Sequence, residues 1–384
     1  MITKYGRMDM GLFVTTLVLL GFGIVLVYSS SFAVAQKDFG GADFFLARQT
    51  VRALLAVILL MVFINVDYHL WSKYSGVLFI AAVVLLVYVL LLPDSHALKG
   101  AKRWISLGSV RFQVSDLGRM ALVLTLAKKC GETQGDSMEW PMFMHHLIRI
   151  GLICGLIVME PDFSTGSIIA LTGFAILFVS GAKVKHLAGV CAAIVPLVVA
   201  LIISAPYRMM RVLGYFNLSE RRDNLGYQVF QSLVGLGNGG LFGIGLGKGE
   251  QKYFYLPEPH TDFILSVLGE EFGFIGVMLV FGLFAFLVYR GMKIALNAPD
   301  RTGQLMAFGF TFIVALYAIV HSSVATGLVP PTGVPMPFLS YGGMSLIFTM
   351  CSMGVLLNIS SQSRQHGSVS QPDKSVRAVR NVKL

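Results

Sequence analysis

Apolar runs long enough to cross a bilayer recur from one end of this chain to the other, with little between them. A spanning helix needs about 20 mostly apolar residues, fewer where polar groups face a bundle interior. Ten segments fit: 11–30, 50–66, 74–93, 114–129, 144–160, 165–182, 187–205, 262–290, 304–327 and 338–359. In lipid, helices satisfy their own backbone groups, so the predicted fold is all-α. It is a polytopic membrane protein of about ten transmembrane helices with one large extracytoplasmic loop. Only 13% of residues are charged, against roughly 25% in a soluble domain, and no separate soluble domain is expected. The run 114–129 is the weakest, because Asp116 and Arg119 interrupt it.

The net charge of +10 would suggest nucleic acid in a soluble protein. Beside membrane helices, basic residues set orientation and meet anionic lipid, so membrane lipid is the expected partner and nucleic acid is not. With the N-terminus in the cytoplasm, the cytoplasmic segments hold Lys4, Arg7, Lys73, Lys128, Lys129, Lys183, Lys185, Arg290, Lys293 and Arg301. Ten spans then place both termini inside. Lys4 and Arg7 precede a run with no convincing cleavage site after it, which reads as a retained first helix. Residues 1–360 read as one membrane-embedded domain, and 361–384 as a basic, disordered cytoplasmic tail. Cys154, Cys191 and Cys351 lie in apolar runs and Cys130 in a short polar loop. Without a CxxC or Cys/His cluster, neither a disulfide framework nor a zinc site is expected.

The connection 206–261 is the only long one, and it faces outward in this topology. Long loops in compact proteins are usually functional. This one ends in Pro257, Glu258, Pro259, His260, Thr261 and Asp262, directly before an apolar run. Charge at a membrane boundary is expensive unless solvated, paired or used. Thr261 or Asp262 could cap the following helix. Asp262 could equally be a general base at the outer face, kept ionised by the helix start. Both readings stand on position alone.

Other polar residues invite two readings each. Glu270 and Glu271 lie two turns deeper, where a buried structural pairing is as good an account as chemistry. Asp116 and Arg119 have the spacing of an ion pair, which could neutralise itself or line a polar groove. Lys99, Lys102, Arg103 and Trp104 suit a membrane interface, and would also bind a phosphorylated head group with Arg208 and Arg211. Glu160, Pro161 and Asp162 make a tight turn, or bring Asp162 to the face of Asp262. Gly243, Gly245, Gly247 and Gly249 lack the βαβ context of a dinucleotide fingerprint and read as a flexible loop or re-entrant segment. Pro330, Pro331, Pro335 and Pro337, followed by Ser340–Tyr341–Gly342–Gly343, mark a broken helix beside a cavity.

Three separated stretches together resemble the shape, elongation, division and sporulation family of FtsW, RodA and SpoVE. They are Gly243 to Phe263, Gly333–Val334–Pro335 through Gly343, and Lys102–Arg103–Trp104 with Arg111–Phe112–Gln113. Tyr28–Ser29–Ser30 and Gln251–Lys252–Tyr253–Phe254–Tyr255 make the chain most similar to the FtsW branch. The RodA branch usually has arginine where Pro259 stands. The sequence also departs from the family pattern. Gln113–Val114–Ser115–Asp116 and Arg119 replace Gln-Pro-Ser-Glu and a lysine, Glu160 replaces the glutamine of a Gln-Pro-Asp turn, and His321 replaces a common asparagine.

The resemblance implies an inverting peptidoglycan glycosyltransferase that polymerises lipid II at the outer face of the bacterial cytoplasmic membrane, in cell division. Asp262 matches the family's essential aspartate and becomes the expected general base. Lys102, Arg103, Trp104, Arg208, Arg211, Lys248, His260 and Ser340 are the expected contacts to substrate and pyrophosphate. Asp116, Arg119, Asp162 and Glu270 are supporting polar groups within the membrane. No metal ligands are expected; a divalent cation, Mg²⁺ or Mn²⁺, is the one cofactor that could assist the leaving pyrophosphate. The expected partners are lipid II, the undecaprenyl-pyrophosphate-linked glycan, a class B penicillin-binding transpeptidase and division-complex proteins. The alternatives are a RodA-like elongation polymerase, a lipid II flippase and a division scaffold.

Overall fold

The computed structural model describes every residue except 1, 4–5, 94–102, 108–109, 134–137, 205–208, 211–224, 254 and 370–384. Among the described residues there are eleven helices. They are α1 Met10–Phe39, α2 Phe44–Asn65, α3 Tyr68–Leu91, α4 Val114–Gly131, α5 Trp140–Met159 and α6 Phe163–Val179. The remainder are α7 Val184–Ile203, α8 Leu225–Asn238, α9 Ile264–Leu296, α10 Arg301–Ala325 and α11 Gly343–Val369. Two short antiparallel hairpins accompany them: β1 Ile2–Thr3 with β2 Gly6–Arg7, and β3 Trp104–Leu107 with β4 Val110–Gln113.

Seven helices are long and apolar enough to cross a membrane: α1, α2, α3, α5, α9, α10 and the Gly343–Ser363 part of α11. The chain is a multi-pass membrane protein. The shorter α4, α6 and α7 complete the ten expected runs. With 18 and 17 residues, α4 and α6 reach about 26 Å, close to a hydrocarbon core of about 30 Å. The least apolar run proves to be the central helix. Almost every residue of α4 from Val114 to Ala127 is buried, against α3, α5, α6, α10 and α11. It faces protein rather than lipid, so it tolerates Asp116 and Arg119. Cys130 is likewise buried in its last turn and is not a loop residue.

Aspartates open four of the helices. Asp9, Asp67, Asp162 and Asp300 accept from the free backbone N–H groups of Leu12, His69, Thr165 and Gly303 at 2.9, 3.0, 3.3 and 2.8 Å, which satisfies donors that the helix cannot. Contacts divide the helix ends into two sets. At one end Asp9 pairs with Arg290 and its N–H donates to Ser360 Oγ, while Tyr68 Oη donates to Asp300. At the other end lie the 40–43 turn, the β3–β4 hairpin, the 160–162 turn and residues 239–263 and 326–342.

The 206–261 connection is more structured than a loop. It contains α8, which packs on α9, and the Ser232 hydroxyl donates to Ala325 O at 2.6 Å. Residues 239–245 then press against a break in α9 at Gly273, whose φ is 67° and ψ −168°. Ile244 and Gly245 donate to Glu270 O and Glu271 O, both at 3.0 Å, and Phe274 and Ile275 donate to Gly240 O and Leu241 O at 2.9 and 3.1 Å. These bonds satisfy backbone groups freed by the break, as membrane depth requires. A Cβ on Gly243 (φ +81°) would collide with the Glu271 carbonyl. Gly239, Gly243 and Gly249 therefore serve close approach to α9, and the segment is held to α9 along 239–245 rather than hanging free. Beyond α8 and α9, α11 runs past the expected end at 359, with Ser360, Ser361 and Gln362 buried. The rest of the basic tail lies outside the described residues, as do Lys99, Lys102, Arg208 and Arg211.

Candidate active site

Asp262 is half-buried in the turn that precedes α9. Its backbone N–H donates to Glu258 O at 3.2 Å, around a Glu258 with φ 53°. The N-cap position of α9 is Phe263, which makes no side-chain cap bond. Capping by Thr261 or Asp262 therefore does not explain a carboxylate at this point.

The 329–342 loop clamps the turn from one side. Ser340 Oγ donates to Thr261 O at 2.7 Å and accepts from Met336 N at 2.8 Å. Tyr341 N donates to His260 O at 2.8 Å. At Gly333 (φ +71°) a Cβ would stand 3.7 Å from Asp262 Oδ2, so the loop backbone passes against the carboxylate. From α10, His321 Nδ1 lies 2.9 Å from Val334 O; a carbonyl only accepts, so Nδ1 carries the hydrogen. On the other flank the buried His260 ring meets Phe45 and Tyr341, at 4.6 and 5.6 Å between centroids. Both His260 and Ser340 thus hold the turn that carries Asp262 in place.

A second polar group surrounds the 160–162 turn. Arg103 Nε donates to Glu160 O at 3.1 Å, its Nη2 donates to Pro161 O, and its Nη1 lies 3.9 Å from Asp162 Oδ2. Gln113 Nε2 donates to the same Asp162 oxygen at 3.4 Å. The Glu160 side chain is fully buried and neither oxygen has a partner. Burial and the neighbouring Asp162 push its carboxyl up to about 9, against the opposing pull of Arg103. The Arg103 guanidinium is occupied by its own chain. Trp104 is half-buried and pairs with Gln113 across the hairpin.

Deeper in the bundle, Arg119 Nη2 reaches Asp116 Oδ1 at 3.4 Å, Ser345 O at 3.1 Å and Thr349 Oγ1 at 3.0 Å. Arg119 and Tyr317 line a cavity of about 10 Å³, room for a single water at most. A third group joins three segments. Lys252 Nζ lies 2.7 Å from Glu271 Oε1, and Ser29 Oγ donates to both Glu271 oxygens at 2.6 and 2.7 Å. Glu270 accepts from Glu250 N and Gln251 N at 3.1 and 3.2 Å. Both glutamates bind their own protein. Lys248 is exposed.

Comparison with known proteins assigns the family. The FtsW/RodA/SpoVE family model, described as cell cycle protein, matches residues 10–365. The chain belongs to this family. A Geobacter protein (strain M18) named "Probable peptidoglycan glycosyltransferase FtsW" is 39% identical over 93% of this chain and 97% of its own. Stage V sporulation protein E of Bacillus subtilis is 40% identical, over 95% and 100%. A chain solved in a peptidoglycan synthase complex superposes with a TM-score of 0.77 at 26% identity, covering 94% and 99%. RodA of Thermus thermophilus gives 0.67 at 25%, covering 92% and 97%.

Within this FtsW/RodA/SpoVE frame, the structure also brings forward residues that sequence reasoning passed over. Arg52 of α2 lies over Tyr341, with its guanidinium carbon 4.9 Å from the ring centroid. An arginine inside an apolar run was itself the signal, since intramembrane charge is a functional hypothesis by default. The pairing of Lys252 gave no such signal, because its partners are distant in sequence. Among the described residues, no group of three or more His, Cys, Asp or Glu side chains is arranged to hold a metal. A divalent cation here would have to share one or two carboxylates with the substrate's own phosphates.

Proposed function

We propose that this peptidoglycan glycosyltransferase polymerises lipid II, with Asp262 as the general base. The observation that carries the reading is a half-buried Asp262 in a turn clamped from two sides, by the 329–342 loop through Ser340, Tyr341 and Gly333 and by the packing of His260 on Phe45. In the reaction, Asp262 takes the proton of an acceptor sugar hydroxyl. The freed oxygen bonds to the anomeric carbon of the lipid-linked glycan donor. The old carbon–oxygen bond breaks and its electron pair leaves with the lipid diphosphate. One displacement inverts the configuration, as in inverting glycosidases where water is the nucleophile.

The site lies at the end of the bundle away from the N-terminus. Lysines and arginines gather at the N-terminal end, which supports a cytoplasmic N-terminus and an outward-facing site. The solved synthase-complex relative supports a crosslinking transpeptidase as partner. Relatives named FtsW and stage V sporulation protein E match about equally well, and the FtsW-like residues favour a role in division. The transporter reading loses support, because two of the charge groups at membrane depth, Asp116–Arg119 and Lys252–Glu271, are internal pairs.

The test is polymerisation of purified lipid II. Asp262→Ala and Asp262→Asn should each lower the rate by about 10²–10⁴-fold, the usual contribution of a general base. Near-normal polymer from both variants would sink the proposal.

A further inference from the structure

Arg52 stands in an electrostatic position that its own protein leaves unresolved. No ion pair among the described residues includes it. Its guanidinium lies over the Tyr341 ring, and a Cβ on Gly343 would stand 3.3 Å from its Nε. Gly343 is the first residue of α11, a 27-residue helix. The free N–H groups and aligned dipoles of a helix start carry partial positive charge. A cation set against that end is repelled, and an anion between the two satisfies both. Contact with the ring face of Tyr341 leaves the in-plane N–H donors of the guanidinium still to be satisfied.

Gln49 points the same way independently. Phe45, Gln49 and Arg52 follow the i, i+4, i+7 pattern of one helix face. Phe45 and Arg52 both touch Tyr341, the former at 5.1 Å between centroids. Gln49, between them, is fully buried, and neither of its amide atoms has a partner. Arg48, one turn earlier, is turned aside over Phe44 at 4.0 Å. The spot adjoins the base-bearing turn through the bond from Tyr341 N to His260 O.

We infer that Arg52, Gln49 and the N-terminus of α11 form a subsite for the diphosphate of a lipid-linked substrate. This deepens the glycosyltransferase reading above and rests on it. The shared chemistry is a lipid phosphate, which could come from the substrate or from bulk phospholipid, so the experiment separates the two. Full-length protein in detergent is titrated with labelled undecaprenyl diphosphate, in competition with undecaprenyl monophosphate or phosphatidylglycerol. Arg52→Gln should weaken diphosphate binding about tenfold or more, and raise KM for lipid II more than it lowers kcat, as loss of a charge-assisted contact predicts. Arg52→Lys should recover part of the affinity, and Gln49→Leu should lose about threefold. Unchanged diphosphate affinity in folded Arg52→Gln and Gln49→Leu overturns the subsite, as does equal competition by phosphatidylglycerol. Asp262→Asn should bind diphosphate as tightly as the unaltered protein. Active Asp262→Asn would remove the mechanism while leaving the binding result to be judged alone.

Discussion

The Lys252–Glu271–Ser29 group and the Asp262–Arg52 region lie at the same end of the bundle and use similar residues in opposite ways. In the first, ammonium, carboxylate and hydroxyl satisfy one another at 2.6–3.2 Å, and both charged side chains are almost wholly buried. In the second, Asp262 is half-buried rather than enclosed, and the Arg52 cation faces a helix start. A closed group holds a fold together. A partly exposed one stays within reach of a ligand. The difference teaches that burial and pairing, rather than the presence of charge at membrane depth, separate structural from chemical groups in this chain.

Substitution at Asp262 tests that division most severely. Asp262→Asn should reduce polymerisation by about 10²–10⁴-fold and leave the thermal midpoint in detergent close to that of the unaltered protein. A large fall in the midpoint would move Asp262 to the structural side. Lys252→Met or Glu271→Gln should do the reverse. Removing one partner of a buried pair costs about 3–5 kcal/mol, because it strands the other charge. The midpoint should fall sharply for each single change, and the double variant Lys252→Met/Glu271→Leu should regain most of it. Single variants that melt normally would break the comparison.

Glu160 sharpens it on a smaller scale, as a buried acid with no hydrogen-bond partner. Its folded value of about 9 lies above the ordinary 4.5. The folded state therefore binds more protons than the unfolded state between those values. Stability linked to Glu160 is fully present below about pH 4.5 and is lost as pH rises towards 9. Glu160→Gln keeps the shape and removes the ionisation. It should have little effect on the thermal midpoint near pH 4 and stabilise progressively towards pH 9, by about 1–3 kcal/mol. A pH profile of the midpoint that is identical in both proteins would show that Glu160 is already ionised at neutral pH.

The ten long helices of the bundle, seven of them long and apolar enough to cross a membrane, were legible as apolar runs, because lipid imposes length and composition on whatever crosses it. α8 was not, since its 14 residues carry Gly226, Gly235 and Gly237 and cannot span; it is stabilised by packing on α9. Asp262 stood out through Pro257–Asp262 and the family resemblance, while the clamp on its turn depends on contacts across 79 residues, as from Ser340 to Thr261. Arg103 looked like a free phosphate ligand because bonds from a side chain to the carbonyls of Glu160 and Pro161 leave no trace in a sequence. The pairing of Lys252 was hidden for the same reason: its hydroxyl partner is 223 residues away.

His321 provides the finest test, because it acts on the clamp and not on the base. It is buried, its Nδ1 holds Val334 O, and its Nε2 has no partner. The neighbouring Gly333 passes against Asp262, so loss of this bond should loosen the loop rather than unfold the helix. A neutral hydrogen bond contributes about 0.5–1.5 kcal/mol, and 1.4 kcal/mol is a factor of ten in rate. His321→Leu should therefore lower kcat by roughly tenfold with little change in KM. The Asn side-chain amide nitrogen can occupy the position of Nδ1, and that of Gln approximates Nε2. His321→Asn should retain most of the rate, and His321→Gln should behave like Leu. If Asn and Gln are equally active, the bond to Val334 does not position the loop, and the clamp reduces to Ser340 and Tyr341.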